Sequence, residues 1–483
     1  MTLTKKVEDS KAPKVQKAYT GIDVDIRRQG KMMILPNDPA PMDYDTAIAV
    51  LQQKKADEET RVNVHEAIVE AFPWDGAIAF FKAMCDSYGW GQAVKTPPKH
   101  IFDSGQEPTS ITVEIGFNQR TEILWGAFKI PGIEGQLETS TTREGDRLVF
   151  CLKGWVKKKH LSKVRELAEL TRKYVRESSC YRGKAFQLQV DDDGDLDWNS
   201  PPKFLDTSII KPEELIFSKV LEEQIYTLVF TPVMHTDFCR QNGIPLGRGI
   251  LLEGPFGTGK SLTAAIASRL CEENNWTFIT ISEATALEAA LQFARIYQPS
   301  MVFAEDIDRV VAGGRNVEMD RILNTIDGVT GKGSEVITIL TTNEADKINP
   351  AMLRPGRLDA VISLRAPDAE AVERLIRLYA RGLLSSGASL ISAGEKLAGE
   401  IPATIREVVE RAKLFAIHRT GSPDITLTGE DLVGAADSMR QHLELLNRER
   451  QAILTPEAAL GTAFGDLLEH KQGKVCPINQ ARR

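Results

Sequence analysis

The chain has 483 residues, 42% of them hydrophobic and 26% charged, enough for roughly two to four globular domains. Its 60 Lys and Arg against 67 Asp and Glu give a formal charge of −7, which excludes a whole-protein basic field for nucleic acid. No run of about 18 apolar residues is present, so no membrane span is expected, and the start, MTLTKKVEDSKAPKVQK, lacks the apolar core of a signal segment. Cys85, Cys151, Cys180, Cys239, Cys271 and Cys476 form no C-x-x-C pair, which argues against a zinc site or a disulfide framework and points to a reducing cytoplasm.

Residues 1–40 are polar and punctuated by proline, and read as a loosely held arm. Over 44–88 the apolar pattern is helical: Ala47, Ile48, Val50 and Leu51, then Val64, Ile68, Val69 and Phe72, then 78–84. Strand-like runs follow at 111–115, 123–125 and 148–151. A basic turn, Lys157-Lys158-Lys159-His160, leads into a helix over 161–176, and 186–198 reads as a hairpin closed at Asp193-Gly194. Together these predict an α+β N-terminal domain over 41–205. Next comes a helix over 215–229. Buried strands at 249–252, 276–281, 301–304, 336–341 and 361–364 then alternate with helices, the pattern of a parallel α/β sheet over 206–366. Residues 367–450 are almost all helical, with apolar spacing at 368–384, 402–419 and 428–447. The tail, 451–483, holds one short helix over 456–470.

Residues 254–261, GPFGTGKS, carry the chemistry. They match G-x-x-x-x-G-K-[ST], the phosphate-binding P-loop, placed between an apolar strand and a helix as the motif requires. Gly254, Gly257 and Gly259 let the backbone bend and aim its N–H groups at phosphate oxygens. Lys260 reaches the β- and γ-phosphates of ATP, and the Ser261 hydroxyl ligates Mg²⁺. Pro255, Phe256, Thr258 and Leu262 complete the nucleotide-binding set. Downstream, the strand Met301-Val302-Phe303-Ala304 ends in Glu305 and Asp306. By position Glu305 is the metal-side acid and Asp306 the acid that activates the attacking water. The strand at 336–341 ends in Thr342-Asn343, whose amide can touch the γ-phosphate or that water. Arg354 and Arg357 flank Pro355-Gly356, a rigid turn that projects guanidiniums; they stand either in surface salt bridges or at the phosphates of a neighbouring subunit.

These segments, IPLGRGILLEGPFGTGKS (244–261), MVFAEDID (301–308) and VITILTTNEADKINPAMLRPGRLD (336–359), resemble the AAA branch of the AAA+ ATPases over roughly 211–447. The resemblance implies a P-loop sheet with a helical lid, Asn343 in the sensor-1 place and Arg354 and Arg357 in the arginine-finger places. It also implies a ring, usually of six subunits, with ATP between subunits and hydrolysis coupled to remodelling of a macromolecule. In the lid, Ala403 fits the small residue of this branch and Arg406 is an alternative phosphate contact or a surface arginine. The chain departs from the branch at three places. Phe256 replaces a proline, and the acidic pair runs Glu-Asp rather than Asp-Glu. The segment between Ser282 and Ser300 has no room for an aromatic pore loop beside a helix over 286–297. Phe293 and Tyr297 are then expected in the core, and Gly313-Gly314-Arg315 is a second pore-facing loop or an ordinary one. The Glu-Asp order and the short segment resemble the mitochondrial AAA translocases for folded iron–sulfur protein, without their membrane helix.

The resulting expectation is a cytoplasmic ATPase ring, most readily a hexamer, that recruits a protein substrate or adaptor through its N-terminal domain. A DNA-metabolism motor or loader is the first rival, disfavoured by the acidic balance. A nucleotide-gated scaffold with slow turnover, motivated by the short acid at 306, is the second. The run DDDGDLD (191–197) fails the spacing of a Ca²⁺ loop and reads as a hairpin turn.

Overall fold

The computed structural model describes residues 27–29, 31–35, 38–89, 92–93, 109–145, 147–191, 196–197, 200–307, 333–343, 357–422 and 424–439. The chain divides into two compact units, one of Met1–Asp206 with Cys271–Val302, the other of Thr207–Leu270 with Phe303–Arg483. Most of the arm, the turn at 313–315, Arg354 and the tail lie outside the described residues.

The first unit opens with short antiparallel strands, β1 (Arg27–Gln29), β2 (Met32–Leu35) and β3 (Asp38–Met42). Asp43 starts α1 (Tyr44–Glu58): its carboxylate accepts the amides of Asp45 and Thr46 at 3.1 and 3.0 Å, satisfying two orphan donors of the first turn. The helical reading of 44–88 fails in the middle, because Arg61–Ile68 is a strand, β4. Val62 and Val64 put two β-branched side chains on one face at a spacing of two, and that period prevails over the helical one. The helix α2 (Pro73–Tyr88) follows, with proline at its first turn, where no N–H is needed.

The strands β5 (Gln92–Ala93), β6 (Thr109–Gly116), β7 (Gln119–Trp125), β8 (Ala127–Lys129), β9 (Gly135–Glu144) and β10 (Arg147–Lys157) come next. They build a sheet of order β4-β10-β9-β8-β5 and a separate β6-β7 hairpin. Under the sheet lie α2 and α3 (Leu161–Ser178), with Val64, Phe80, Phe128, Phe150 and Leu167 in one core. The basic turn is neutralised locally. Lys157 and Lys159 both pair with Glu59 and Glu134, and Lys158 pairs with Asp57 at 2.6 Å. The strands β11 (Ala185–Gln187) and β12 (Lys203–Phe204) pair antiparallel, and an antiparallel bridge joins Val190 to Leu196. The tip of that hairpin, at Asp193-Gly194, lies outside the described residues.

The second unit begins with a 3-10 turn, Pro212–Glu214, then α4 (Lys219–Ile225), a π-helical turn (Tyr226–Phe230), α5 (Thr231–Met234) and α6 (Thr236–Gln241). The single helix expected over 215–229 starts only at Lys219. Leu215 and Phe217 are buried from extended backbone instead of along a helix face. The nucleotide-motif strand β13 (Arg248–Glu253) leads into α7 (Lys260–Glu273). Past Cys271 the chain belongs to the first unit: β14 (Thr277–Ile281), a 3-10 turn, α8 (Leu287–Ile296) and β15 (Ser300–Ala304), whose last residues return to the second. The first unit's order is β12-β11-β14-β15, with β11 parallel to β14. In the second, β13 runs parallel to both β16 (Val336–Thr342) and β17 (Ala360–Ser363).

Helices α9 (Ala369–Ala380), α10 (Ile391–Leu397) and α11 (Pro402–Thr420), with a further helix over 429–439, enclose a core of Val372, Ile376, Leu397, Ile405, Val409 and Leu432. Helix α9 stops short of the expected 384 because Arg381 takes a left-handed conformation, φ +48°. The architecture is a parallel α/β module followed by helices and preceded by α+β sheets, the class expected. Among the described residues no helix is long and apolar enough to cross a membrane.

Candidate nucleotide site

Every described residue of the predicted site falls in the second unit. The loop between β13 and α7 turns on its glycines. Gly254 sits at φ +150°, and a Cβ there would lie 2.3 Å from the Leu364 carbonyl oxygen. Gly259, at φ +106°, has Phe217 3.0 Å from where its Cβ would stand. No other residue combines that backbone with that room. Buried Thr258 closes the turn, its hydroxyl donating to the Pro255 carbonyl at 2.8 Å. Phe256 is 71% exposed, so the bulky replacement for proline meets no steric barrier. Its ring centroid lies 5.9 Å from the Lys260 ammonium.

The polar side chains form two short chains of hydrogen bonds. Lys260 Nζ donates to the carbonyls of Gly254 and Pro255 at 2.5 and 3.0 Å, and to Asn343 Oδ1 at 2.8 Å. Asn343 Nδ2 in turn donates to Asp306 Oδ1 at 2.9 Å. Alongside, Ser261 Oγ donates to Glu305 Oε1 at 2.7 Å. The parallel register of β13 and β16, Glu253 opposite Thr342, puts Asn343 beside the loop, and the Gly254 amide donates to the Thr342 carbonyl at 3.2 Å. Thr341 fixes the backbone at Asp306: its hydroxyl accepts the Asp306 amide at 3.1 Å and its carbonyl accepts the Ile307 amide at 2.9 Å. Asp306 itself takes a left-handed backbone, φ +50°.

Leu262 lies in the first turn of α7, two residues after Lys260. Arg357 stands just before β17, anchored through its neighbours: the Asp359 amide donates to the Gly249 carbonyl at 2.7 Å, and Asp359 Oδ2 accepts the Gly249 amide at 3.1 Å. Arg354 is outside the described residues. In the helical region Arg406 is exposed and stacks on Tyr379, 4.9 Å from the ring centroid. Burial raises the Tyr379 hydroxyl above its ordinary value, against the pull of Arg406.

Sequence reasoning missed the wall behind the loop. Phe217 is fixed on both sides: its amide donates to Glu222 Oε1 at 2.9 Å, and its carbonyl accepts from Arg374 of α9, which also grips Glu222 at 2.8 Å. Ile401, at the start of α11, stands 3.0 Å from where a Gly257 Cβ would be. The only advance signal was an apolar pair, Ile216-Phe217, ahead of a helix start. Phe293, on α8, and Tyr297, its C-cap, are fully buried, as core residues should be.

Residues 250–366 match the ATPase family associated with various cellular activities (AAA). The chain is 30% identical over 252 residues to a 26S proteasome regulatory subunit 8 homolog of Schizosaccharomyces pombe, covering 46% of this chain and 61% of that one. It is 31% identical over 270 residues to the ATP-dependent zinc metalloprotease FtsH of Thermus thermophilus, covering 50% and 42%. To the proteasome-activating nucleotidase of Pyrococcus horikoshii it is 28% identical over 270 residues, covering 50% and 66%. The chain thus spans less than two thirds of the length of each of these relatives. The P-loop, the acidic strand end and the strand-tip asparagine thus stand in two adjoining hydrogen-bonded chains inside a region, residues 250–366, that matches the AAA family of ATPases.

Proposed function

We propose that the protein binds ATP with Mg²⁺, hydrolyses it, and couples turnover in a ring of subunits to the remodelling of a protein substrate. The observation that carries the nucleotide reading is the continuous chain Lys260–Asn343–Asp306 beside the Ser261–Glu305 pair. Ser261 and Glu305 offer hard oxygen donors 2.7 Å apart, the donor chemistry Mg²⁺ takes beside phosphates. When bound, the ion neutralises charge on the β- and γ-phosphates. Lys260 adds a positive charge on the same groups, and the loop amides after Gly254 bind phosphate oxygens. Asp306 orients the attacking water and accepts its proton, while Asn343 holds that carboxylate in one rotamer. Arg357 supplies transition-state charge to a neighbouring subunit's site, which is why a ring, of six subunits in the usual family pattern, is part of the reading.

The protein-substrate part rests on the relatives' names, which attach two of them to the proteasome and one to a metalloprotease. The α+β sheets before the module are the region assigned to recruitment. A nucleic-acid role draws no support from the basic turn, since Lys157, Lys158 and Lys159 are engaged by acids of their own unit. A slow, nucleotide-gated scaffold keeps one observation in its favour: Asp306 is a short acid on left-handed backbone, already engaged by Asn343. The deciding test is Lys260→Ala. It should lower ATP turnover by about 10²-fold or more and abolish binding of a fluorescent ATP analogue, as loss of a phosphate-directed charge does. Unchanged turnover in that variant would sink the reading. Identification of proteins retained by an Asp306→Asn variant in ATP then separates remodeller from scaffold.

A further inference from the structure

The segment Cys271–Val302 leaves one nucleotide motif and returns to another. It begins in the helix that starts at Lys260 and ends three residues before Glu305. Between those points its core is shared with the N-terminal part of the chain. Phe293 packs against Phe72 and Phe186, with ring centroids 5.4 and 5.7 Å apart. Arg182 donates to the carbonyls of Ile296 and Gln298, the open C-terminal end of α8, at 2.7 and 2.9 Å.

At the centre stands a buried polar junction. Tyr297, fully buried, accepts the Phe72 amide at 2.8 Å and donates to Asp75 Oδ2 at 3.1 Å. Asp75, 1% exposed in the first turn of α2, also accepts from Ser179 Oγ at 2.7 Å, from the Cys180 amide at 3.1 Å and from the Cys180 thiol at 3.3 Å. A buried carboxyl is costly unless its bonds are made, so its geometry is tightly determined. One hydroxyl therefore joins the end of α8 to both the start of α2 and the turn after α3. An apolar contact would serve packing alone. A shared polar junction has few alternative arrangements, and any shift of α8 must be met by Phe72 and Asp75 together.

We propose that Tyr297 is the link through which nucleotide occupancy is felt in the N-terminal region, acting on Phe72 and Asp75. The proposal rests on the nucleotide reading above. Tyr297 is a positioning residue in this scheme: it touches no phosphate, and it transmits a shift of the α8–β15 segment. In place of a loop that moves in a pore, the segment between the two nucleotide motifs moves the substrate-recruiting sheets.

Amide hydrogen exchange on the full chain, with and without a non-hydrolysable ATP analogue and Mg²⁺, tests this. In the wild type the analogue should slow exchange across 254–262 and also change it at Phe72 and Cys180, whose amides sit at the junction. Tyr297→Phe keeps the ring and removes the hydroxyl; it should retain the first change and lose the second, with KM for ATP unchanged. Tyr181→Phe is the control, since the buried Tyr181 hydroxyl has no hydrogen-bond partner among the described residues. It should behave as wild type. A response at 254–262 with none at Phe72 and Cys180 in the wild type overturns the link and leaves nucleotide binding standing. The same overturning follows if Tyr297→Phe keeps the distant response. No response at 254–262 overturns the nucleotide reading itself, and this proposal with it. Should Tyr297→Phe not fold, Asp75→Asn, which keeps an acceptor oxygen in place, is measured in the same way, and an intact distant response there counts against the link.

Discussion

Asn343 is the side chain that joins Lys260 to Asp306, with Oδ1 on Lys260 and Nδ2 on Asp306. Its replacement by alanine leaves Lys260 its two loop carbonyls but leaves Asp306 without its orienting donor. Asn343→Ala should therefore lower kcat by about 10²-fold, the scale of losing one aligned donor, and change KM for ATP far less. Steady-state hydrolysis at varied ATP reads both numbers; an equal loss in affinity would mean the amide serves binding instead. Its place beside the loop was legible in the sequence, as the polar amide that ends an apolar strand next to the P-loop strand. Thr341 was not, since its role depends on where the Asp306 backbone turns, and no pattern in the sequence states that turn. Phe217 was hidden for a similar reason. Its meaning comes from Gly259, 42 positions later, and from an arginine on α9.

At the level of elements, the end of β10 is tied to α1 and to the turn before β9 by Lys157 and Lys159, which share Glu59 and Glu134. Hydrogen bonds from Lys157 and then Lys159 hold the Glu134 carboxyl down from its ordinary 4.5 to about 2. A carboxyl depressed in the fold contributes stability that is present above its ordinary value and is lost as pH falls through the folded one. Here that window runs from about 4.5 down to about 2. Lys157→Ala should raise the Glu134 midpoint toward the ordinary value, read by NMR titration of the carboxyl carbon; an unmoved midpoint would assign the effect to Lys159 alone. The acids and lysines are visible in the sequence, but their pairing is not. The Glu59 that meets Lys157 ends a helix 98 positions earlier. Likewise β9, G-Q-L-E-T-S-T-T-R-E, shows almost no apolar signal and is set by its register against β10, from Glu144 opposite Arg147 to Gly135 opposite Val156. The strand β4 misled for the opposite reason: its apolar residues fit a helical spacing as well as an alternating one until the sheet chose.

For the whole molecule, the ring reading makes a prediction in mixtures. Arg357→Ala should reduce hydrolysis by about 10³-fold while each subunit still binds ATP, as loss of a finger arginine does. Lys260→Ala subunits are expected to fail for a different reason, loss of the phosphate-directed charge, so mixing the two should restore turnover wherever an intact loop faces an intact arginine. A mixture no more active than its parts would place Arg357 outside a shared site. Most of the parallel module could be anticipated, since its strands are buried apolar runs and its loop is written in glycines. The partition of the chain could not, because contacts decide it. That partition bears on how such a protein can be shortened or recombined. Phe72, Phe186 and Phe293 meet in one core although more than two hundred positions separate the first from the last. A cut at Asp206 would strip Phe293 and Tyr297 of their partners and bare an aromatic surface in whatever remained. A shortened or recombined chain therefore keeps this core only if the N-terminal sheets and the segment between the two nucleotide motifs are carried together.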